Sequence, residues 1–403
     1  MILDASKNWN NDLEEERPLN DFVRSILESR LNAPLNRRRF VQGASGLATM
    51  TLLGASGAAQ AQKVGGELNF LGWDGEHAGN VAKDFLAQNG IEMKASFQSA
   101  ADEALTRFNT GGRGAMDLIT PNKDFQRAIL ESGTELMQPL DMSRIPSAAG
   151  LFPAFKDAPW LVKDGKTYGV PMIWGDEPCV YNPAKWQAMP ERYTDFADPK
   201  FKGELVLLDD PFGNIWLWAT SLGMPQPSRL TKEQLAQVLE AMLKIKPNVV
   251  TVGASHGDMA DVLVRGDASI GVGGWAYQAI IAKEKGVTLT VGTPSKDGTF
   301  FWSDAYAIAV DSPNIDNAYA FIEFVTQPKS NAALATELAS GCTVEAAYAL
   351  MEPALTSLYP YDNVRAPGGG ILGTQTVVPP QNPDGDVVGA ASWVEAWQTF
   401  KVS

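Results

Sequence analysis

The sequence predicts an α/β fold made of two mainly parallel sheets flanked by helices, preceded by a segment that belongs to neither. Three observations carry this expectation. Strand and helix patterns alternate from the first residues after position 61, and a second run of alternation starts near residue 203. The 342 residues after position 61 are enough for two domains with cores of their own.

Residues 1–61 read as an address. Arg37-Arg38-Arg39-Phe40-Val41-Gln42 supplies paired arginines followed by a large apolar residue. A weakly apolar run from 43 to 59 follows, and Ala59-Gln60-Ala61 offers small residues at the two positions a signal peptidase reads. This order predicts a twin-arginine signal peptide with a long N-terminal extension, cleavage near Ala61 and a periplasmic mature chain. A membrane anchor is the competing reading. The run is too short and too rich in Gly, Ala, Ser and Thr for a span of about 20 strongly apolar residues.

Residues 1–61 hold seven basic and seven acidic residues, so the remainder carries the whole formal charge of −14. An acidic surface repels phosphate backbones and anionic lipid, which argues against nucleic acid and membrane-surface partners and favours a cationic ligand. Two histidines, His77 and His256, and two cysteines, Cys179 and Cys342, fit no zinc spacing, so no metal and no cofactor is expected. A disulfide between the cysteines would close a loop of more than 160 residues, worth about 5 kcal/mol in the chain-entropy model. Two buried thiols are the equal alternative.

Each element has its own signal. Residues 67–71 read as a strand. Ala78, Val81, Ala82, Phe85 and Leu86 recur at helical spacing until Asn89-Gly90. Ile91, Met93, Ala95 and Phe97 alternate with polar residues as a half-buried strand. Ser99 with Asp102 and Glu103 opens a helix that Gly111-Gly112 ends; 116–120 is a strand and 122–132 a helix closed by Gly133. In the second run 203–208 is a strand, 214–222 and 231–244 are helices, and Thr231 with Gln234 forms a capping box. Further strands are expected at 249–252, 268–272, 287–291 and 305–310, and helices at 316–326, 328–340 and 392–401. Two such sheets place a ligand in the crevice at the carboxyl ends of the strands.

Gly253-Ala254-Ser255-His256-Gly257 matches the nucleophile-elbow pattern between a strand and a helix. The reading fails on histidine supply, because no histidine follows His256 and the α/β-hydrolase order needs one. An ordinary turn opening a helix is the better account, and the chain is read as a binding protein rather than an enzyme. An exported hydrolase with its site between two lobes is the alternative.

Tryptophan beside an acid recurs at strand ends. Trp73-Asp74 with Glu76 follows the first strand, and Trp174 precedes Asp176 and Glu177. Asp209-Asp210 comes just ahead of Trp216 and Trp218, Trp275 ends a strand, and Trp302 is followed by Asp304. An aromatic face beside a carboxylate suits an organic ammonium, since the ring attracts the cation and the carboxylate accepts its N–H bonds. Taken singly, each pair is as well explained by a core tryptophan and a solvated acid, Trp216 and Trp218 above all, because they sit on a helix.

Residues 69–73, 117–121, 168–175, 202–210 and 300–307 resemble, in order, segments of the periplasmic spermidine/putrescine-binding proteins of ABC transporters. Tyr168-Gly169-Val170-Pro171-Met172-Ile173-Trp174-Gly175 and Phe301-Trp302-Ser303-Asp304 are the most specific parts. The resemblance implies a two-lobed periplasmic binding protein fold whose lobes close on the ligand about a hinge. It divides the chain into lobe 1, 62–172 with 304–350, and lobe 2, 173–303 with 351–403. It also implies ring stacking by Trp73 and Trp302, amine binding by Asp304 and Asp210, and a polar contact from Asp74. Asn122 and Asp124 stand where the family has serine and tyrosine. Gly213 stands where it has a glutamate, and Trp275 fills an aromatic position only if its turn shifts by one residue. With Glu76 and Trp174 these make the candidate ligand site. The implied partners are a polyamine such as spermidine or putrescine, or another solute, and an ABC permease in the inner membrane, with the binding protein a monomer.

Overall fold

A computed structural model describes residues 64–98, 103–156, 158–366 and 375–403. The expected signal peptide and its extension lie outside the described residues, as do Ser99 and Asp102 at the expected helix start. Residues 62–403 form one compact unit by their contacts.

Seven strands come from the first half of that unit: β1 (Gly66–Gly72), β2 (Ile91–Phe97), β3 (Leu118–Ile119), β4 (Val162–Lys163), β5 (Lys166–Thr167), β6 (Val170–Asp176) and β7 (Cys179–Tyr181). Six follow: β8 (Leu205–Leu208), β9 (Val249–Gly253), β10 (Ile270–Val272), β11 (Thr290–Gly292), β12 (Phe301–Ile308) and β13 (Gly341–Cys342). They form a sheet in the order β13-β6-β12-β3-β1-β2, a second in the order β11-β7-β10-β8-β9, and the separate pair β4-β5. Each large sheet is mixed. The alternating strand-helix units supply the parallel pairs β1-β2, β1-β3, β8-β9 and β8-β10. The antiparallel partners are the strands that carry the chain between sheets.

Only Glu177 and Pro178 separate β6 in the first sheet from β7 in the second, and β11 leads back into β12. β6 and β12 pair with Trp302 opposite Gly175 and Phe301 opposite Asp176, and the register slips between Asp304 and Ala305. That slip leaves Met172 as the extra residue of a bulge, and its carbonyl accepts from Asn331 Nδ2 (2.8 Å).

The two sheets have separate cores. Leu68, Phe70, Trp160, Trp174 and Tyr306 belong to the first, and Leu205, Trp216, Trp218, Trp393 and Trp397 to the second. The lobe boundaries read from sequence shift accordingly. β6 stays in the first sheet through Asp176, so position 172 falls inside a strand. Met351, Leu355, Tyr359, Tyr361 and Val364 pack in the first core rather than with 375–403. The cause is aromatic: Tyr361 meets Trp174 edge-on at 5.2 Å and Tyr359 meets it at 5.8 Å. The chain enters the second core again with Val377.

The capping box forms as its spacing implies, with Gln234 N–H donating to Thr231 Oγ1 (3.3 Å) and Thr231 N–H donating to Gln234 Oε1 (2.9 Å). Strand β2 differs from its expected half-burial. It is the sheet's edge, and Ala95 and Phe97 are exposed because only its first residues lie under a helix. Both cysteines are buried free thiols, Cys179 in the second core and Cys342 in the first, so the buried-thiol alternative holds.

Candidate functional site

The carboxyl end of β1 turns sharply into Trp73-Asp74-Gly75-Glu76. Gly75 takes a positive φ of 87°. At Gly72 a Cβ would fall 1.9 Å from Thr120 Oγ1, so no other residue fits. The turn is closed by Trp73 N–H donating to Glu76 Oε2 (3.2 Å), and Tyr306 Oη donates to the Glu76 carbonyl (2.6 Å). Glu76 is thereby carried inward to 3% exposure. There it meets Asp304 of β12, which is 6% exposed and lies opposite Asn122 across a short bridge.

Burial raises the Glu76 carboxyl well above the usual range, and the Asp304 charge raises it further. Burial also raises Asp304, only partly offset by the Asn122 amide and by Glu76 itself. One Asp304 oxygen has no hydrogen-bond partner. At neutral pH two adjacent buried acids hold a proton that separate exposed acids would release.

A second pair lies where the chain passes to the other sheet. Glu177 follows β6, and Asp210 follows β8. Burial raises the Glu177 carboxyl, with the charges of Asp210 and Asp176 adding to it, and one Glu177 oxygen is sealed without a partner. Asp210 is raised by burial and drawn back by two backbone donors, Phe212 N–H (3.0 Å) and Gly213 N–H (2.9 Å). It caps the helix Pro211–Ser221. This cap explains Gly213: a Cβ there would lie 2.2 Å from Asp210 Oδ2 and 2.8 Å from the Phe300 ring. No ion pair reaches Glu76, Asp304, Glu177 or Asp210 among the described residues.

The aromatic candidates divide by strand parity. Residues opposite one another in an antiparallel ladder share a face. Trp302 and Asp304 therefore lie on one face of the β6-β12 ribbon, and Trp174, Asp176, Phe301 and Ser303 on the other. Trp302 is half-buried, with its indole over Gly175, where a Cβ would be 2.4 Å away. Trp275 meets Trp302 edge-on at 6.0 Å and donates Nε1–H to Tyr359 Oη (3.1 Å). Trp73 is half-buried at the end of β1, whereas Asp74 is exposed and its charge acts on His77.

Two candidates sit elsewhere. Trp174 is fully buried and donates Nε1–H to the Cys342 carbonyl (2.9 Å) on the face away from Trp302, so it is a core residue of the first lobe. Asp124 is paired with the buried Lys123 Nζ (2.9 Å) and accepts from Val377 N–H (3.2 Å). Its charge is spent inside the protein. Asn122 caps the helix Lys123–Ser132 through Asp124 N–H (3.1 Å) while keeping its place beside Asp304.

Trp216 and Trp218 pack in the second core, as their place on a helix implies. Glu177 lies outside the candidate set read from the sequence. Its signal was its position as the first residue past a fully buried strand. Ser255 caps the helix His256–Arg265 by accepting from Asp258 N–H (3.1 Å). His256, its neighbour, is lowered to about 4 by burial and lies edge-on to Trp275.

The model of the bacterial extracellular solute-binding protein family matches residues 80–357. The chain is 26% identical over 299 residues to the spermidine/putrescine-binding periplasmic protein of Salmonella typhimurium, covering 73% of this chain and 83% of that one. It is 24% identical over 304 residues to the putrescine/agmatine-binding protein of Pseudomonas aeruginosa, covering 70% and 80%. Among solved structures, the spermidine/putrescine ABC transporter substrate-binding protein PotD of Streptococcus pneumoniae superposes with a TM-score of 0.65. The match has 20% identity and covers 83% of this chain and 98% of that one. The glucopine complex of MotA from A. tumefaciens gives 0.58 at 17% identity, covering 83% and 99%. These structures share the two-lobed α/β fold.

Proposed function

Because the chain belongs to the bacterial extracellular solute-binding protein family, we propose that it captures a small organic cation of the polyamine class and delivers it to an ABC permease. The observation that carries this reading is a set of carboxyls with no ion-pair partner among the described residues: buried Glu76 and Asp304 on the first lobe, half-buried Glu177 and Asp210 toward the second. A buried charge is costly unless paired, and the partner these four require is a cation. An anionic solute would meet their repulsion. A neutral sugar would leave their charge unpaired.

Trp73, Trp275 and Trp302 add ring faces to which an alkylammonium is drawn, each contact worth about 1–2 kcal/mol in a dry cleft. Acids on both lobes tie binding to hinge closure, because a diammonium ion reaches both pairs only when the lobes approach. Contacts made only in the closed form are what drives closure. The names of the relatives, which include putrescine, spermidine and agmatine binders, agree with this chemistry. The paired arginines and Ala59-Gln60-Ala61 support export through the twin-arginine route and work in the periplasm.

Thermal-shift and calorimetric titration of the purified chain with putrescine, spermidine, agmatine, organic anions and sugars tests the reading. Stabilisation by a di- or polyamine is the expected result. A shift with anions or sugars alone refutes it. Asp304→Asn should weaken amine binding by about 2 kcal/mol, the cost of losing a buried charged hydrogen bond.

A further inference from the structure

The face of the β6-β12 ribbon turned away from Trp302 and Asp304 has a cavity of its own. It is about 380 Å³, in the range of small-molecule sites. Val291 and Thr299 line it from the second sheet's side, Asp176 and Phe301 from the ribbon, and Tyr359 and Asn363 from the segment that packs under Trp174. Alternate residues of β6 and β12 point to opposite faces of the first sheet, Trp302 and Asp304 to one, Asp176 and Phe301 to the other.

Asp176 makes the cavity more than a packing gap. It is 5% exposed, one of its oxygens is sealed without a partner, and no ion pair reaches it among the described residues. The other acid on the wall, Asp297, is already matched: it accepts from Arg192 Nη1 (2.9 Å) and from Tyr193 N–H (2.8 Å). The nearest further charge is Glu177, whose carboxyl is raised in part by Asp176 and which cannot neutralise it. Burial alone pushes the Asp176 carboxyl up to about 7. Asp176 lines the cavity beside the rings of Phe301 and Tyr359, and its charge, like that of the cleft acids, has no ion-pair partner among the described residues.

We propose that this cavity is a second binding site, distinct from the cleft, for a small primary ammonium ion whose NH3+ group sits on Asp176 and whose carbons lie against Phe301 and Tyr359. The ammonium donates to the carboxylate oxygens, and the ring faces take the cationic alkyl group. Parity turns Asp176 to the face opposite Trp302 and Asp304, while its charge still reaches Glu177. A residue at position 176 points away from Trp302 whatever occupies the other side.

The test uses the full chain and ethylammonium as the probe. In an Asp304→Asn background, which weakens the cleft, calorimetric titration should still find an ethylammonium site, and adding Asp176→Asn should weaken it at least tenfold. Asp176→Asn alone should weaken putrescine binding far less than Asp304→Asn does, since it reaches the cleft only through its charge on Glu177. Ser357→Phe, which fills the rim while keeping the charge, should weaken ethylammonium at least fivefold. This variant guards against a folding defect at position 176. Three results overturn the proposal: no ethylammonium site in the Asp304→Asn chain, binding within twofold of that background after Asp176→Asn, or loss of putrescine binding in Asp176→Asn as large as in Asp304→Asn. The last would assign Asp176 to the cleft. Because ethylammonium binding is read without putrescine, failure here leaves the polyamine reading standing, and the reverse also holds.

Discussion

Replacing Asp176 by Asn should make the unliganded protein more stable, and by an amount that depends on pH. The sign follows from linkage. In the folded chain the Asp176 carboxyl is raised from 3.8 to about 7. Between those values the folded state holds a proton that the unfolded state has lost, so stability falls as pH rises through this window. About three pKa units at 1.36 kcal/mol each set a ceiling of about 4 kcal/mol, reached above pH 7 and absent below about pH 4. Asparagine has the same shape and cannot ionise, so it removes this loss. Part of the gain is shared with Glu177, which the Asp176 charge also holds up. At pH 8 the variant should exceed the parent by about 2–4 kcal/mol, and at pH 4 by less than about 1. Urea denaturation of both proteins at the two pH values, after dialysis to remove amines, measures the difference directly. The raised acids other than Glu177 tilt both curves alike and cancel. A difference of equal size at both pH values would refute the reasoning, because it would mean that packing and not charge burial sets the effect. A difference near zero at pH 8 would mean that the Asp176 carboxylate is matched by solvent or by a cation.

Gly213→Ala should destabilise the second lobe by about 1–3 kcal/mol and weaken amine binding, since its Cβ has to displace the Asp210 carboxylate or the Phe300 ring; an unchanged melting temperature would count against that packing. Amine affinity should rise from pH 6 to pH 8, because the cleft acids must give up protons held by burial before they pair with a cation. Titration in buffers of different ionisation heat should register proton release, and affinity falling over that range would remove these acids from the site. Thiol titration should find no reactive group in the native chain and two in denaturant, and reductant should leave the melting temperature unchanged. Replacing Arg37 and Arg38 by Lys should block export, read by fractionation; an exported double variant would point to the general secretory route.

The elements that sequence reveals most plainly are those whose signal is local. The capping box at Thr231, the strand β1 and the packed Trp216 and Trp218 all depend on residues within a turn or two of one another. What sequence hides is pairing. The pattern of β2 promises a buried face, but only the sheet order makes it an edge and leaves Phe97 exposed. The site shows the same limit. Acids at strand ends were visible, and Glu76, Asp210 and Asp304 are drawn inside as unpaired carboxyls. Trp174 and Asp124 looked equivalent to them but are committed elsewhere, Trp174 to Cys342 and Asp124 to Lys123. Lys123 is a sequence neighbour, but the contacts that bury these groups are distant. Trp174 and its acceptor are 168 residues apart in sequence, and Val377, which binds Asp124, is 253 away.

The ribbon β6-β12 accounts for both the instability and the selectivity argued above. It lies in the first sheet beside the connections to the second, and its residues are buried apart from half-buried Trp302. The acids it carries, Asp176 and Asp304, each keep an oxygen without a hydrogen-bond partner. Parity then assigns them: Asp304 to the cleft, Asp176 to the back. An apolar residue at either position would stabilise the empty protein but would remove the unmet charge that makes a cation bind and hold. The unliganded chain therefore keeps buried acids at a cost in stability, and an ammonium ion that pairs with them recovers that cost on binding. On the proposed reading the same relation predicts an order of ligand preference. A dication that reaches Glu76-Asp304 and Glu177-Asp210 together relieves both lobes, whereas a monoamine relieves one and leaves the other to oppose closure.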